Sequence, residues 1–383
     1  ALTLAQRGLR VIVLEAHRVG FGASGRNGGQ VSAGFNMDHR TLAQRLGADT
    51  ARALWALTQE ACALTARLCA DHAPEARFTS GVLHGNWSAR DAAENRRYAT
   101  WLAETYGHQT TWMDRDAFRG ICRSPVYAGG VYDTYGGHLH PLRLCLGLAK
   151  AGEAAGATIS EGTEVLCVED RQDGVRLVTQ DGEVMAAHAI LAGNGYLSNL
   201  APRYAARVMP INSFIAATEP LGDLAGEVLS RDVAVADDKF VVNYFRLSED
   251  RRLLFGGRES YSIGFPRDIL TALRARMLRL FPQLGGVGID YHWGGTLGIT
   301  MTRVPYLARL GPRLLAAGGY SGQGVALSLL SGRVLGEAIA GTEERFDVLS
   351  RLPVPPFPGG AALRAPLLTL GMTWFALRDR LGI

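Results

Sequence analysis

Uninterrupted apolar segments alternate along the chain with segments of helical period. The first apolar segment, VIVLEA (11–16), follows a short stretch of helical period, LTLAQRG (2–8), that ends at a glycine. Similar apolar segments, AILAG (189–193) and LLAAG (314–318), return later. A strand that is apolar on both faces is typical of a sheet covered by helices on both sides. The pattern therefore predicts an α/β unit whose strands come from distant parts of the sequence.

The stretches between these segments predict further helices and strands. Apolar residues at helical spacing, in segments bounded by glycine or proline, predict helices over 41–72, 89–107, 141–156 and 267–281, and another that begins at about Val325. Strands are predicted over 80–88, 207–221, 239–248 and 251–260, of which the last two form a hairpin, and 128–141 is predicted to be a strand and a turn. Two Asp-Gly turns make 163–196 a three-stranded meander. The segment PVPPFP (353–358) is a stiff connector to a C-terminal helix.

Composition excludes several classes of function. The net charge is only +4, and the basic residues are scattered among acids, so nothing supports nucleic-acid binding. The five cysteines show neither CxxC nor Cys/His metal spacing, which indicates free thiols in a reducing compartment. The longest apolar stretch near the end, 365–377, is too short to span a bilayer, and 1–10 lacks the features of a signal peptide. We therefore expect a cytoplasmic protein without a transmembrane segment.

Glu15 ends the first apolar strand. In a β–α–β nucleotide unit, an acid at this place binds the ribose hydroxyls about 20 residues after a glycine-rich phosphate loop. Counting back from Glu15 places that loop before residue 1, so we expect that this chain lacks its true N-terminus. The alternative for Glu15 alone is a solvated acid at a strand end.

Two glycine-rich segments carry the chemistry. GASGRNGG (22–29) offers backbone N–H groups in an anion-binding arrangement, to which Ser24, Arg26 and Gln30 add polar groups. GGYSGQG (318–324) joins a buried strand to a long helix, and the positive end of that helix favours an anionic group. A flexible loop and an ordinary strand–helix turn are the alternatives for each segment taken alone.

These segments, together with Glu15 and LLFGGR (253–258), resemble the D-amino-acid-oxidase-type FAD oxidoreductases over the whole chain. Within this family the chain most resembles the bacterial gamma-glutamylputrescine oxidoreductase branch. The resemblance implies an α/β (α+β overall) fold, in which a Rossmann-like FAD domain of the glutathione-reductase type is interleaved with an antiparallel-sheet substrate domain. It assigns 1–75, 141–205 and 290–345 to the FAD domain, 76–140 and 206–289 to the substrate domain, and 346–383 to a C-terminal connector and helix.

The resemblance also implies the cofactor contacts. Glu15 would bind the adenosine ribose, and Val165 would contact adenine through its backbone. The diphosphate, the ribityl chain and the ring edge would be lined by Ala23, Ser24, Arg26, Asn27, Gly28 and Gly29, with Gln30 beside them. Gly193 and Asn194 would close over the adenosine side, and the flavin pyrimidine would be held by Gly319, Tyr320, Ser321, Gly322, Gln323 and Gly324. The segment 294–311 has no cysteine, so we expect non-covalent FAD.

The implied reaction is oxidation of an amine or amino acid. Hydride transfer to flavin N5 would give an imine that hydrolyses to an aldehyde or keto product, with electrons passing to O2. Tyr244, Arg246 and Arg258 are the candidate catalytic residues, since an arginine there pairs with a substrate carboxylate. The alternative for both arginines is a surface-strand position. A flavin dehydrogenase with a quinone or carrier acceptor, and a non-catalytic fragment that cannot hold FAD, remain open.

Overall fold

A computed structural model describes residues 1–197, 200–239, 241–260 and 265–359, without the side chains of 258–260. The helices are α1 Leu2–Ala5, α2 Ala23–Arg26, α3 His39–Leu46, α4 Ala48–His72, α5 Ala89–Tyr106, α6 Arg115–Ile121, α7 Pro141–Ala154, α8 Pro202–Ala205, α9 Leu270–Leu280, α10 Gly324–Ile339 and α11 Glu344–Ser350. The strands are β1 Ile12–Leu14, β2 Gln30–Val31, β3 Thr79–Asn86, β4 Thr111–Asp114, β5 Gly129–His138, β6 Thr158–Ser160, β7 Cys167–Asp170, β8 Val175–Val178, β9 Glu183–Ala186, β10 Ala189–Leu191, β11 Met209–Thr218, β12 Ala234–Asp237, β13 Tyr244–Leu247, β14 Leu253–Ser260, β15 Ile289–Ile299, β16 Tyr306–Arg309 and β17 Leu314–Gly318.

The apolar strands form the parallel pairs that the sequence indicates. β1 pairs with β6, and β10 pairs with β17, which β16 extends in the antiparallel sense. β7, β8 and β9 form the predicted meander as a separate antiparallel sheet. The predicted mixed α/β fold is thereby confirmed.

A nine-stranded sheet makes the second unit. Its order is β15-β11-β14-β13-β12-β3-β5-β2, with β4 also on β5, and its pairs are antiparallel except β12 with β3. The predicted β13–β14 hairpin is present. The proposed domain boundaries stay a prediction; two strands that they assign to the FAD domain, β2 and β15, hydrogen-bond within this sheet.

One face of this sheet is apolar and the other faces the glycine-rich segment. Phe214, Phe245 and Phe255 are fully buried in one core cluster with residues of α9. Because neighbouring side chains on a strand alternate between faces, Ser213, Tyr244 and Arg246 lie on the opposite face. A second core cluster joins α4 and α10.

Local signals located the end of α5 and the beginning of α7. α5 ends at Gly107 with φ of 70°, and α7 begins at Pro141 with the His140 side chain accepting from Arg143 N. The single helix predicted over 41–72 is wrong: Gly47, with φ of 85°, separates α3 from α4. A residue with that backbone conformation cannot continue a helix.

The predicted C-terminal helix falls in residues 360–383, which lie outside the described part of the chain. Among the helices that are described, none combines the length and apolarity needed to cross a bilayer.

Candidate active site

The first glycine-rich segment forms a short helix rather than an extended cradle. α2 takes up one turn between β1 and β2, and in residues 22–29 positive φ occurs only at Gly29, with 76°. Asn27 ends this turn: its Nδ2 donates to Ala23 O and Ser24 O at 2.9 Å, and its Oδ1 accepts from Gly29 N at 2.7 Å. The side chain of Asn27 therefore fixes the chain direction at the end of the segment.

Arg26 and Trp293 attach this segment to strand β15. Arg26 Nε donates to Phe21 O at 2.6 Å and Nη1 donates to Gly294 O at 3.2 Å. In return, Trp293 Nε1 donates to Arg26 O at 2.8 Å. Arg26 thus uses part of its donor set to hold its own loop against the sheet.

The second glycine-rich segment lies against the same strand. Ser321 N donates to Gly298 O at 3.1 Å, and Thr300 N donates to Ser321 Oγ at 3.2 Å. Ser321 has a φ of 53°, an uncommon value for a residue with a side chain. Asn36 Nδ2 donates to Ser321 O at 2.9 Å and links this loop to the chain that leaves β2.

The two segments therefore share one strand. Gly294, which accepts from the first segment, and Gly298, which accepts from the second, are four residues apart on β15. At the rise of a β-strand this separation is about 13 Å. The structure thus places residues 22–29 and 318–324 along one edge of the nine-stranded sheet, close enough to contact one extended ligand.

Tyr244 lies between the glycine segment and the sheet. A Cβ placed on Gly28 would lie 2.9 Å from the Tyr244 ring, and one placed on Gly256 would lie 2.0 Å from it. The Tyr244 hydroxyl is 3.3 Å from Ser213 Oγ. Glycine on both sides is what lets the ring lie flat between the two backbones.

Arg246 is buried beneath the same segment, with 7% of its surface exposed. Its Nε donates to Gly28 O at 2.7 Å, Nη2 to Leu139 O at 2.9 Å and Nη1 to Leu247 O at 3.1 Å. Burial lowers the pKa of Arg246 to about 10, and Asp232 partly offsets this effect. Pairing of Arg246 with a substrate carboxylate stays a prediction; the three carbonyls take up three of its five N–H groups. The side chain of Arg258, the other candidate arginine, lies outside the described part.

Of the four residues predicted on the adenosine side, Asn194 contacts the second glycine segment and the other three make their contacts elsewhere. Glu15 is at the end of β1, where its Oε1 accepts from His17 N at 2.9 Å. Val165 precedes β7, and Gly193 is exposed before the 3₁₀ turn Asn194–Tyr196. Asn194 Oδ1 accepts from Gly319 N at 2.9 Å, so its amide braces the second glycine segment.

Two predicted residues point their side chains elsewhere. Gln30 Nε2 donates to Val235 O at 2.9 Å within the nine-stranded sheet. The Tyr320 ring belongs to the core cluster of α4 and α10, and burial raises the pKa of its phenol to about 12. Gln30 Nε2 and the Tyr320 ring thus make their contacts within the protein.

The start of α10 fits an electron-rich ligand. Its N-cap residue Gln323 makes no side-chain cap, so the first N–H groups of a 16-residue helix are not satisfied by that side chain. Gly322 has a φ of 97°, and a Cβ added there would meet, among the described residues, only the Asn36 amide at 4.0 Å. These backbone N–H donors, together with the acceptor carboxylate of Glu15 at the end of a parallel strand, fit FAD.

Sequence reasoning missed Asn36, Thr300, Ser213 and Leu139. Asn36 and Thr300 contact the second glycine segment, and Leu139 contacts the first. All three residues are far in sequence from the segment that they contact. No local pattern indicates such contacts. Ser213 could have been found, because it alternates with the apolar Phe214 on a predicted strand. In the described ranges, no group of His, Cys, Asp and Glu side chains could hold a metal ion.

Comparisons with known proteins agree with this geometry. The family model for FAD dependent oxidoreductases (DAO) matches residues 1–338. The probable oxidoreductase OrdL of Rhizobium meliloti is 39% identical over 99% of this chain and 89% of its own length. Gamma-glutamylputrescine oxidoreductase of Escherichia coli is 37% identical over 100% of this chain and 90% of its own length.

Solved structures support the fold. Glycine oxidase from Bacillus cereus superposes with a TM-score of 0.74 at 20% identity, covering 91% of this chain and 94% of that one. Glycine oxidase from Geobacillus kaustophilus gives 0.73 at 23% identity, over 90% of each chain. The protein is thus an enzyme that uses FAD, as predicted. The chain belongs to the DAO family of FAD-dependent oxidoreductases.

Proposed function

We propose that this enzyme oxidises a C–N bond of an amine or amino acid, with O2 as the electron acceptor. The product is an imine, which water hydrolyses to an aldehyde or a keto compound. A gamma-glutamylputrescine-like amine is the substrate of first choice. The observation that carries the substrate class is the 37% identity to gamma-glutamylputrescine oxidoreductase along the full chain.

FAD would be held non-covalently by residues at three places. Glu15 would bind the ribose hydroxyls, residues 23–29 would line the central part, and the start of α10 would face the flavin pyrimidine. A helix N-terminus stabilises negative charge, so this placement favours reduced flavin. Bound FAD supplies the two-electron acceptor for the C–H bond beside the substrate nitrogen.

The sheet face next to Gly28 would receive the substrate. Tyr244 and Ser213 offer two neutral hydroxyls, 3.3 Å apart, that can hydrogen-bond an amine. Tyr244 and Trp293 are half-buried aromatic residues, and a bound amine that is shielded from water by such rings loses stabilisation of its charged ammonium form. We propose that this face orients the unprotonated amine.

The five cysteines are free, which supports a reducing compartment. The cytoplasmic location is therefore part of this proposal.

Anaerobic mixing with a panel of amines tests the function. Gamma-glutamylputrescine, putrescine, sarcosine, glycine and a D-amino acid are added in turn to the yellow protein, and bleaching of the flavin absorbance is followed. We expect fast bleaching with the first and peroxide release when O2 is admitted. Bleaching without peroxide identifies a dehydrogenase, and no bleaching with any amine contradicts the proposed reaction.

Variants of two tyrosines locate the substrate face. Tyr244→Phe removes one hydroxyl but keeps the ring between Gly28 and Gly256, so FAD should stay bound while kcat/KM falls about tenfold, as expected for one lost hydrogen bond. Tyr291→Phe is the matched control, because Tyr291 is 59% exposed on β15. Equal kinetics of the two variants would remove Tyr244 from the substrate site.

A further inference from the structure

The buried guanidinium of Arg246 is bonded to neutral groups. It donates to the carbonyls of Gly28, Leu139 and Leu247, which carry dipoles but no net charge. Asp232 is the acid that acts on it electrostatically, and the Asp232 side chain is 62% exposed. Water screens an exposed carboxylate, so the positive charge is only weakly compensated.

Arg246 also fixes the backbone of the glycine segment. Gly28 O accepts from Arg246 Nε at 2.7 Å, and Gly29 O accepts from Leu139 N at 2.9 Å. A Cβ on Gly29 would lie 1.9 Å from Leu139 O and 3.3 Å from Arg246 Nη2. The guanidinium therefore holds Gly28 O and Leu139 O together and seats the segment on the sheet.

We propose that Arg246 is a positioning residue of the flavin site, which seats the Gly28–Gly29 backbone and places a buried positive charge behind it that stabilises reduced, anionic FAD. This role rests on FAD binding and not on the identity of the amine. Pairing with a substrate carboxylate, as predicted from the sequence, stays the alternative role of Arg246.

Two substitutions separate seating from charge. Arg246→Lys keeps the positive charge but loses the planar guanidinium that donates to Gly28 O and Leu139 O at the same time. Arg246→Met loses both the charge and these hydrogen bonds. The matched control is Arg276→Met: Arg276 also donates to two backbone carbonyls of this unit, Val241 O and Gly257 O, but from α9 on the other face of the sheet.

The readouts are the Kd of oxidised FAD and the midpoint potential of the FAD-loaded protein, measured against a reference dye without any amine. We expect Kd to rise at least tenfold in both Arg246 variants and to stay unchanged in Arg276→Met. The potential should fall in Arg246→Met by about 30 mV, which is a tenfold loss of preference for reduced over oxidised FAD in a two-electron couple. In Arg246→Lys the potential should stay near that of the wild type.

Other outcomes overturn the proposal. Equal potentials of the wild type and Arg246→Met remove the charge effect, and unchanged Kd removes the seating effect. A rise in KM alone, with Kd and potential unchanged, supports the carboxylate-pairing role instead. If Arg246→Met does not fold, Arg246→Gln replaces it, because glutamine also lacks the charge but keeps an amide donor: the potential should fall in the same way, and an unchanged potential contradicts the proposal. Because the Kd and the potential are measured without an amine, these two results do not depend on the outcome of the substrate panel.

Discussion

Protonation of His39 should destabilise the fold as the pH falls below neutral. The side chain is 1% exposed, stacks on Phe35 with ring centroids 5.4 Å apart and meets Trp55 edge-on at 4.7 Å. Phe35 N donates to its Nε2 at 3.4 Å, so the neutral ring carries its hydrogen on Nδ1. Burial lowers the pKa of His39 to about 4, and the neighbouring Asp38 offsets only part of that effect.

The size of the effect follows from the difference in pKa between the folded and unfolded states. The unfolded value is 6.5 and the folded value is about 4. Above pH 6.5 both states hold a neutral ring and the contribution of His39 vanishes. Below it the unfolded chain binds the proton first, so the free energy of unfolding falls by about 2 kcal/mol at pH 5 and by about 3 kcal/mol below pH 4.

Urea unfolding at pH 8, 6 and 5, followed by tryptophan fluorescence, measures this contribution. His39→Phe keeps an aromatic ring and His39→Gln keeps a hydrogen-bond acceptor, and neither titrates in this range. Between pH 8 and 5 each variant should lose about 2 kcal/mol less stability than the wild type, whatever its stability at pH 8. A wild type and variants with parallel pH dependence would refute the reasoning, since the other carboxyl and imidazole groups are common to all three proteins.

Three further predictions concern the cofactor segment and the thiols. Glu15→Ala should weaken FAD binding by removing two charge-assisted hydrogen bonds, each worth ~1.5–3 kcal/mol, and unchanged flavin occupancy removes Glu15 from the site. Gly29→Ala should cost at least ~2 kcal/mol more in unfolding free energy than Gly107→Ala, and should release FAD. Both glycines have positive φ, but only a Cβ on Gly29 meets a backbone atom, Leu139 O at 1.9 Å; a Cβ on Gly107 meets no described atom within 4 Å. If the two variants unfold alike, the close approach at Gly29 is wrong. A thiol reagent should label the exposed Cys167 fast, the half-buried Cys145 slowly, and the buried Cys62, Cys69 and Cys122 only after unfolding; fast labelling of any of these three would contradict their burial.

Signals confined to a few neighbouring residues predicted their elements well. The proline start of α7, the glycine end of α5 and the Asp-Gly turns of the meander each specify a backbone conformation on their own. The break between α3 and α4 was missed, because a glycine inside a helical pattern is compatible with a continuous helix. The φ of 85° at this glycine is a conformation that no local pattern in the sequence indicated.

Sequence reasoning found the two glycine-rich segments but not their neighbours. The pairing of Gln30 with His138 joins β2 to β5 across more than a hundred residues, and it is this pairing that brings Leu139 to Gly29. Alternation along β13 places Tyr244 and Arg246 on one face, yet it does not tell which backbone covers them. The availability of Arg246 to a substrate carboxylate therefore stays a prediction.

The reason for glycine in the first segment changes with the structure. From the sequence, the glycines were expected to adopt positive φ and so turn their backbone N–H groups toward a ligand. The contacts instead show that other atoms lie too close for a side chain: a Cβ on Gly28 would clash with the Tyr244 ring, and a Cβ on Gly29 would clash with Leu139 O. A side chain at either position would separate the segment from the sheet and pull Gly28 O away from Arg246. Glycine there therefore sets the distance between the two units of the fold, and with it the width of the space in which FAD and an amine must meet.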